Sequence, residues 1–191
     1  MKTISSYTAI HIPELPTIPE NLLNYTHNFE DFAFRPVNYM DTVIKDGEVV
    51  PGRLYCRQAV SPELEQWIRN NIVATYANIG ISKNIGPCLG PHLDKTRFYT
   101  LHYTIEPGGS NVQTVFYEPS TDESILDTDK LYVTDYSKLN TVDSIAFQPG
   151  QWYVINGRQL HSVENIETMR ISLQVGLMRD PLIQFKERKI I

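Results

Sequence analysis

A histidine and an aspartate lie two residues apart near the middle of the chain, in the segment Gly90-Pro91-His92-Leu93-Asp94. In extended backbone, residues two apart point to the same side, so the His92 imidazole and the Asp94 carboxylate can reach one ion. By itself the pair is a weak signal, because short His-x-Asp matches also arise by chance. Further ligands are needed elsewhere in the chain before it indicates a metal site.

A third candidate ligand, His161, lies at the start of a later strand-like run. In an antiparallel sandwich, the intervening length allows the chain to cross the fold and place this strand beside the first one. Two imidazoles and one carboxylate on one face of an octahedron suit iron(II) and leave positions open for other ligands. Zinc more often takes a closed tetrahedral set, or three ligands and a water. His92, Asp94 and His161 therefore predict a mononuclear iron(II) site.

Arg170 and Ser172 follow His161 and lie two residues apart on one predicted strand, so their side chains point to the same face. A guanidinium and a hydroxyl on the same strand face form a natural receptor for a carboxylate, because the planar guanidinium can donate two parallel charge-assisted hydrogen bonds. Alone, Arg170 would be interpreted as a surface residue of an ordinary strand. Downstream of the three candidate ligands, it predicts a dicarboxylate bound beside the metal.

The order of these residues resembles the 2-oxoglutarate and iron(II)-dependent oxygenase superfamily, in particular the prolyl hydroxylases and the aspartyl/asparaginyl β-hydroxylase-like group. The resemblance covers roughly residues 86–178. The matching residues are His92-Leu93-Asp94, Arg97, Gly108-Gly109, Thr114-Val115-Phe116, Pro149-Gly150, His161, Arg170 and Ser172.

This resemblance implies a distorted double-stranded β-helix, with iron(II) bound by His92, Asp94 and His161 and 2-oxoglutarate bound by Arg170 and Ser172. It implies hydroxylation of an unactivated C–H bond with release of succinate and CO2. Halogenation is disfavoured, because halogenating members of the superfamily lack the carboxylate that Asp94 supplies. The implied substrate is a prolyl, aspartyl or asparaginyl side chain of a protein or peptide, or a free amino acid or other small molecule.

The resemblance also implies further contacts with 2-oxoglutarate. His102 and Tyr103 lie on the strand where related hydroxylases contact the co-substrate, although a lone strand histidine is more often a packing residue. Thr114 follows the Gly108-Gly109 pair at a wider spacing than the family pattern has. We keep all three as candidate contacts.

Arg97 is a further candidate on the same strand. An arginine buried there would need a carboxylate partner, either Asp94 or an acidic group of ligand or substrate. The alternative is a solvated arginine at the end of the strand. If the strand is regular from Arg97, the side chains of Tyr99, Leu101 and Tyr103 share its face, and those of Phe98, Thr100 and His102 point the other way.

A helix is predicted over residues 61–76, and it would pack on a sheet. Ser61 fits the N-cap and Pro62 the first helical position. Its apolar positions fall on one face at helical spacing: Leu64, Trp67, Ile68 and Ile72. Residues 1–60 carry Pro13, Pro16, Pro19 and Pro36 with little periodicity, which predicts an irregular segment wrapped over the domain.

From about Ile79, short apolar or alternating runs separated by turn residues predict a mainly β jelly roll over residues 79–180. The predicted strands are Arg97–Ile105, Gln113–Glu118, Lys130–Asp135, Ser144–Gln148, Gln151–Ile155, Leu160–Val163 and Met169–Met178. The full length of 191 residues fits one domain.

Composition narrows the functional classes. A net charge of -5 and a pI near 5.5 disfavour general affinity for nucleic acid, and with it an enzyme acting on nucleic-acid bases. The first residues lack the apolar run typical of a signal peptide, and no stretch of about 18 apolar residues occurs, so we expect neither a signal peptide nor a membrane span. Cys56 and Cys88 are expected to be free thiols in a reducing compartment, so we expect a cytoplasmic protein. A non-catalytic, cupin-like jelly roll that binds a metal or a sugar remains the alternative function.

Overall fold

The computed structural model describes residues 7–27, 42–51, 54–86, 88–120, 133 and 135–191. The strands in these ranges are β1 (Ala9–His11), β2 (Thr42–Lys45), β3 (Glu48–Pro51), β4 (Leu54–Gln58), β5 (Asn78–Ile85), β6 (Cys88–His92), β7 (Tyr99–Glu106), β8 (Gln113–Pro119), β9 (Leu139–Ile145), β10 (Trp152–Asn156), β11 (Leu160–Glu164) and β12 (Arg170–Leu177). The helices are α1 (Pro62–Asn71), α2 (Pro181–Glu187) and the short 3-10 helices Glu20–Leu22 and Tyr136–Lys138.

Most described strands lie in two antiparallel sheets. The larger sheet has the order β1-β10-β7-β12-β5-β4 and the smaller sheet has the order β6-β11-β8-β9, while β2 and β3 form a separate hairpin. From β5 to β12 the chain passes repeatedly from one sheet to the other. The fold is therefore mainly antiparallel β and is consistent with a jelly roll. None of the described helices is long and apolar enough to cross a membrane.

The larger sheet has one apolar face and one polar face. Because successive strand residues point to opposite sides, Leu101 and Leu173 pack in the main core together with Leu64 and Ile68 of α1. The other face carries polar side chains that are nevertheless buried: Ser82, Asn84, Thr100, His102, Thr104, Arg170 and Ser172.

This polar face is turned towards the smaller sheet. Phe116 of β8 belongs to the same buried cluster as Tyr153 and Ile155 of β10, so the two sheets contact each other through this interior. Tyr153 lies opposite His102, and Ile155 lies opposite Thr100. The space between the sheets is thus lined by polar groups on one part of its wall and by aromatic groups on another, which is unusual for a packing core.

The expectation of an irregular segment over residues 1–60 is wrong for part of the described region. β1 pairs with β10 at one edge of the larger sheet, and β4 pairs with β5 at the other. Backbone hydrogen bonds to an existing sheet edge stabilise such short strands, and these bonds leave no apolar periodicity in the sequence. Pro36 lies outside the described residues.

The predicted helix begins where expected, because Leu64 N donates a hydrogen bond to Ser61 Oγ. It ends at Asn71, earlier than residue 76, and Ile72 and Val73 then turn into the core.

The predicted strands before β12 agree with β7, β8, β10 and β11 within a few residues, and the last prediction agrees with β12. The prediction of a strand at Ser144–Gln148 is wrong. The strand in this region is β9, which lies earlier, and its central residues are exposed and so give no apolar pattern. β5 and β6 were not predicted as separate strands. Most of Lys130–Asp135 lies outside the described residues.

Shortening a side chain of α1 that packs against the larger sheet should destabilise the protein. Ile68 is fully buried, whereas Ile183 of α2 is 60% exposed. We expect Ile68→Ala to lower the free energy of unfolding by about 2–5 kcal/mol and the matched control Ile183→Ala to change it by less than about 0.5 kcal/mol. Urea unfolding followed by circular dichroism measures both, and equal losses would contradict this packing.

Candidate functional site

His92, Asp94 and His161 come together between the sheets. Their ligand atoms all lie within 4.8 Å of one another. His92 and His161 are direct partners in the pairing of β6 with β11, with ring centroids 4.4 Å apart. Asp94 follows β6 and is anchored by its backbone N–H, which donates to Gly157 O at 2.9 Å. One ion can therefore be reached by all three side chains.

Backbone carbonyls set the tautomer of both histidines. His92 Nδ1 is 3.0 Å from Gly90 O, and His161 Nδ1 is 2.8 Å from Gln159 O. A carbonyl only accepts, so each Nδ1 must carry the proton and donate. Each Nε2 is then left with its lone pair, the form in which imidazole binds a metal.

Arg97 and Thr100 fix the Asp94 carboxylate. Arg97 Nε donates to Asp94 Oδ2 at 2.8 Å and Arg97 Nη2 donates to Oδ1 at 2.9 Å. Thr100 Oγ1 donates to Oδ2 at 3.1 Å. A carboxylate has about four acceptor positions, so one position on Oδ1 remains for an ion.

The electrostatic surroundings keep Asp94 ionised. Burial by itself raises the pKa of Asp94, but Arg97 and then His161 and His92 act in the opposite direction and lower it to about 2. The side chain of Asp94 is only 9% exposed. It is thus a buried carboxylate that retains its charge for metal binding.

Arg170 and Ser172 lie buried on the polar face of the larger sheet. They are 4% and 0% exposed. Among the described side chains, Ser172 Oγ is a buried oxygen without a hydrogen-bond partner. Buried polar atoms without partners are rare in folded proteins and call for an explanation such as a bound ligand.

His102 contacts Arg170 directly. Arg170 Nη2 lies 3.2 Å from His102 Nε2, and Thr104 Oγ1 lies 3.2 Å from the same nitrogen. A guanidinium only donates, so His102 Nε2 accepts and the imidazole is neutral. Burial, and after it the charges of Arg170 and Arg97, hold the pKa of His102 well below its usual value.

Of the two other residues predicted to contact 2-oxoglutarate, Thr114 lies near the cluster of His92, Asp94 and His161, and Tyr103 does not. Thr114 is buried and shares a face of β8 with Phe116, whose ring centroid is 6.0 Å from that of His161. Tyr103 is corrected: it lies in the main core on the opposite face of the larger sheet, with its ring against Trp152. The alternation of side chains along β7 separates it from His102.

The strand is not regular from Arg97, so Arg97 does not share a face with Tyr103. Residues 95–98 are bent, and regular pairing begins only at Tyr99. This bend returns Arg97 to the side of Thr100 and His102, where its Nη2 also donates to Gln174 Oε1 at 3.2 Å.

Three residues near the site were not predicted. Thr100 contacts Asp94, and Gln174 contacts Arg97. Both could have been found from strand periodicity, because residues two apart on a strand share a face. Thr100 lies two residues before His102, and Gln174 lies two residues after Ser172. The third, Arg57 of β4, carried no signal, because its segment was expected to be irregular.

Comparisons with known proteins give structural similarity only. No protein-family model matches the chain, and no curated protein matches it in sequence. An X-ray structure of E. coli ycfD is similar with a TM-score of 0.44 and 16% identity, over 78% of this chain and 45% of that one. The chain thus spans less than half the length of that protein.

Other similar structures come from different functional classes. A 2OG-Fe(II) oxygenase family oxidoreductase from Burkholderia pseudomallei has a TM-score of 0.42 and 14% identity, over 77% of this chain and 73% of that one. A Pseudomonas putida prolyl-4-hydroxylase has a TM-score of 0.36 and 14% identity, over 68% and 71%. Cellulomonas parahominis L-ribose isomerase has a TM-score of 0.35 and 14% identity, over 69% and 61%.

Removing Arg97 should weaken metal binding. Without its charge and two hydrogen bonds, Asp94 loses its orientation and becomes easier to protonate. We expect Arg97→Ala to lower manganese(II) affinity about 10–100-fold, measured by calorimetric titration. Arg158→Ala removes an exposed arginine that follows Gly157, the residue whose carbonyl accepts from Asp94 N, and this variant is expected to leave the affinity unchanged. Equal affinities of wild type and Arg97→Ala would contradict this role.

The neutral state of His102 should make stability depend on pH. The unfolded chain takes up a proton at this residue near pH 6.5, but the folded chain does not, so stability falls as the pH is lowered below about 6.5. The contribution is at most about 1.4 kcal/mol per pH unit. In metal-free protein, His102→Gln should therefore lose less stability than wild type between about pH 7 and pH 5, in urea titrations.

The exposed His11 of β1 supplies a control, His11→Gln, for this comparison. An identical pH dependence in wild type and His102→Gln would show that His102 titrates normally.

Proposed function

We propose that the protein is an iron(II)- and 2-oxoglutarate-dependent oxygenase that hydroxylates an unactivated C–H bond and releases succinate and CO2. The main support is one juxtaposition: two histidines and an ionised carboxylate meet between the sheets. The polar face beside them carries buried Arg170 and the Ser172 hydroxyl, which has no hydrogen-bond partner among the described side chains. As part of this proposal, β5 to β12 form a double-stranded β-helix.

The donor set fits iron(II). His92 and His161 each present Nε2, and Asp94 retains one acceptor position on Oδ1. Two nitrogens and one carboxylate oxygen leave further positions on an octahedral ion. A structural zinc site would more often use a closed set of four protein ligands, which is absent from the described residues around this cluster.

The second site fits the distal carboxylate of 2-oxoglutarate. Arg170 would donate charge-assisted hydrogen bonds, and Ser172 Oγ would gain the partner that it lacks among the described residues. His102 accepts a hydrogen bond from Arg170 and so orients the guanidinium without adding charge. A cupin-like binding protein, the alternative function, would have no need for this buried receptor.

When bound, iron(II) and 2-oxoglutarate supply the oxidising chemistry, in which dioxygen is consumed and 2-oxoglutarate is decarboxylated as the substrate is hydroxylated. The chain itself binds, orients and excludes water. Arg97 keeps Asp94 charged and correctly oriented. Aromatic rings exclude water from the interior: Phe147 lies 4.8 Å from His102 and Phe116 lies 6.0 Å from His161, between centroids.

The substrate and cellular location remain part of the proposal. We infer a small molecule or a protein or peptide side chain as substrate, and no nucleic acid, given the net charge of -5. Cys56 is a buried free thiol, which agrees with a reducing compartment such as the cytoplasm. The side chain of Cys88 is outside the described part of the chain.

Arg170→Gln should selectively weaken 2-oxoglutarate binding. Loss of a charge-assisted hydrogen bond costs about 1.5–3 kcal/mol, so we expect the affinity of manganese-loaded protein for 2-oxoglutarate to fall roughly 10–100-fold in calorimetric titrations. Pyruvate lacks the distal carboxylate, and its weaker binding should not respond to the substitution.

Manganese affinity and the Arg69→Gln variant, which alters an exposed arginine of α1, control for structural damage. If Arg170→Gln weakens pyruvate or metal binding as much as 2-oxoglutarate binding, Arg170 supports the fold and is not the carboxylate receptor.

A further inference from the structure

Arg57 lies across the polar face of the larger sheet. It is opposite Ser82 in the pairing of β4 with β5, and its side chain runs over the neighbouring Gly80. A Cβ placed on Gly80 would lie 2.3 Å from Arg57 Nε and 3.0 Å from its Cγ. Any larger residue at position 80 would displace Arg57, so the glycine makes room for the arginine.

The Arg57 guanidinium has only neutral partners in the described structure. Its Nη2 donates to Asn78 Oδ1 at 2.9 Å and approaches Gln174 O at 3.5 Å. No ion pair of Arg57 is found among the described residues. Burial is the largest cause of a lowered pKa at Arg57. Tyr55, which also forms a hydrogen bond with Arg57, and Asp94 raise this pKa, whereas Arg97 lowers it. A partly buried cation without a carboxylate partner is unfavourable unless a ligand supplies one.

Arg97 occupies the adjacent part of the same layer. A Cβ at Gly176 would lie 2.9 Å from Arg97 Cδ and 2.8 Å from the side-chain amide of Asn78. Arg97 already uses two nitrogens on Asp94 and one of them also on Gln174. Arg57 therefore remains the guanidinium of this layer that can take an additional anion.

The charges around the site leave a positive excess. Arg57, Arg97 and Arg170 face one described carboxylate, that of Asp94, in this part of the interior. Bound iron(II) and the two carboxylates of 2-oxoglutarate together would add no net charge, so the three guanidinium groups and Asp94 would leave a net charge of about +2. Arg97 pairs with Asp94, and Arg170 would pair with the distal carboxylate. Arg57 would then have no carboxylate partner among the described residues and would attract a further negative group.

We propose that Arg57, held by Asn78, binds a carboxylate of the primary substrate. The substrate class is thus a carboxylic acid: a free amino acid, a peptide with a free C-terminus or an acidic side chain. The inference rests on the proposed oxygenase function and adds the chemical group by which the substrate is recognised. Arg57 would place that carboxylate beside the candidate metal ligand Asp94, on the same face of the sheet.

The test uses manganese-loaded protein with 2-oxoglutarate and a panel of matched compounds, titrated by calorimetry. Each acid is paired with its carboxamide: free amino acids with their amides, tripeptides with free or amidated C-termini, and blocked aspartate and glutamate with blocked asparagine and glutamine. We expect one class of acids to bind at least about tenfold more tightly than its amides. The class that discriminates identifies the source of the carboxylate.

The Arg57 variants then assign this preference to the residue. Arg57→Gln should abolish the difference between acid and amide and leave 2-oxoglutarate affinity within about twofold of wild type, since Arg170 is intact. Arg57→Lys should retain part of the difference because the charge remains. Arg69→Gln should behave as wild type. Circular dichroism and urea midpoints establish that each variant is folded.

The inference is overturned if no acid of the panel binds, if acids and amides bind equally to wild type, or if folded Arg57→Gln or Arg57→Lys discriminates as well as wild type with no loss. Should Arg57→Gln not fold, the wild-type comparison and Arg57→Lys still decide. Titrations of 2-oxoglutarate alone report separately on the proposed function. A preserved acid preference without 2-oxoglutarate binding would refute the oxygenase but leave the Arg57 receptor.

Discussion

The ion pair between Asp94 and Arg97 is the interaction on which the candidate site depends. A buried carboxylate is costly unless it is paired and hydrogen-bonded, and removal of one partner of such a pair is strongly destabilising. Arg97 donates twice to Asp94 and once to Gln174 of β12, so it ties the segment after β6 to the larger sheet. The same contacts lower the pKa of Asp94 and point it towards His92 and His161.

The two faces of the larger sheet have different roles: one packs the apolar core, and the other carries the candidate binding site. The face towards α1 is an apolar core of closely packed side chains, including Ile68, Leu101 and Leu173, and this packing supplies the hydrophobic stabilisation. The face towards the smaller sheet contains buried polar groups, of which Ser172 Oγ lacks a partner among the described residues. Such local exceptions to good packing and polar satisfaction are characteristic of binding sites.

Residue type and spacing were enough to predict the cluster of His92, Asp94 and His161. His92 and Asp94 lie two residues apart in extended chain and so point to the same side, and the pairing of β6 with β11 brings His161 beside them. Whether these residues bind iron and 2-oxoglutarate stays a prediction. The sequence could not reveal the bend at residues 95–98, which places Arg97 on the side of His102 and not on that of Tyr103. Arg57 was missed because β4 is defined by pairing with β5, a non-local contact that leaves no periodic pattern.

Anaerobic optical spectroscopy of iron(II)-loaded protein tests the central claim most directly. Binding of a 2-oxo acid to iron(II) gives a weak visible metal-to-ligand charge-transfer band, so the spectrum reports both sites at once. We expect 2-oxoglutarate to produce this band with saturable intensity in wild type, and no band to form in the folded double variant His92→Ala/His161→Ala, which lacks both imidazole ligands. Absence of the band in iron-loaded wild type, or an equal band in the double variant, would contradict the proposed site.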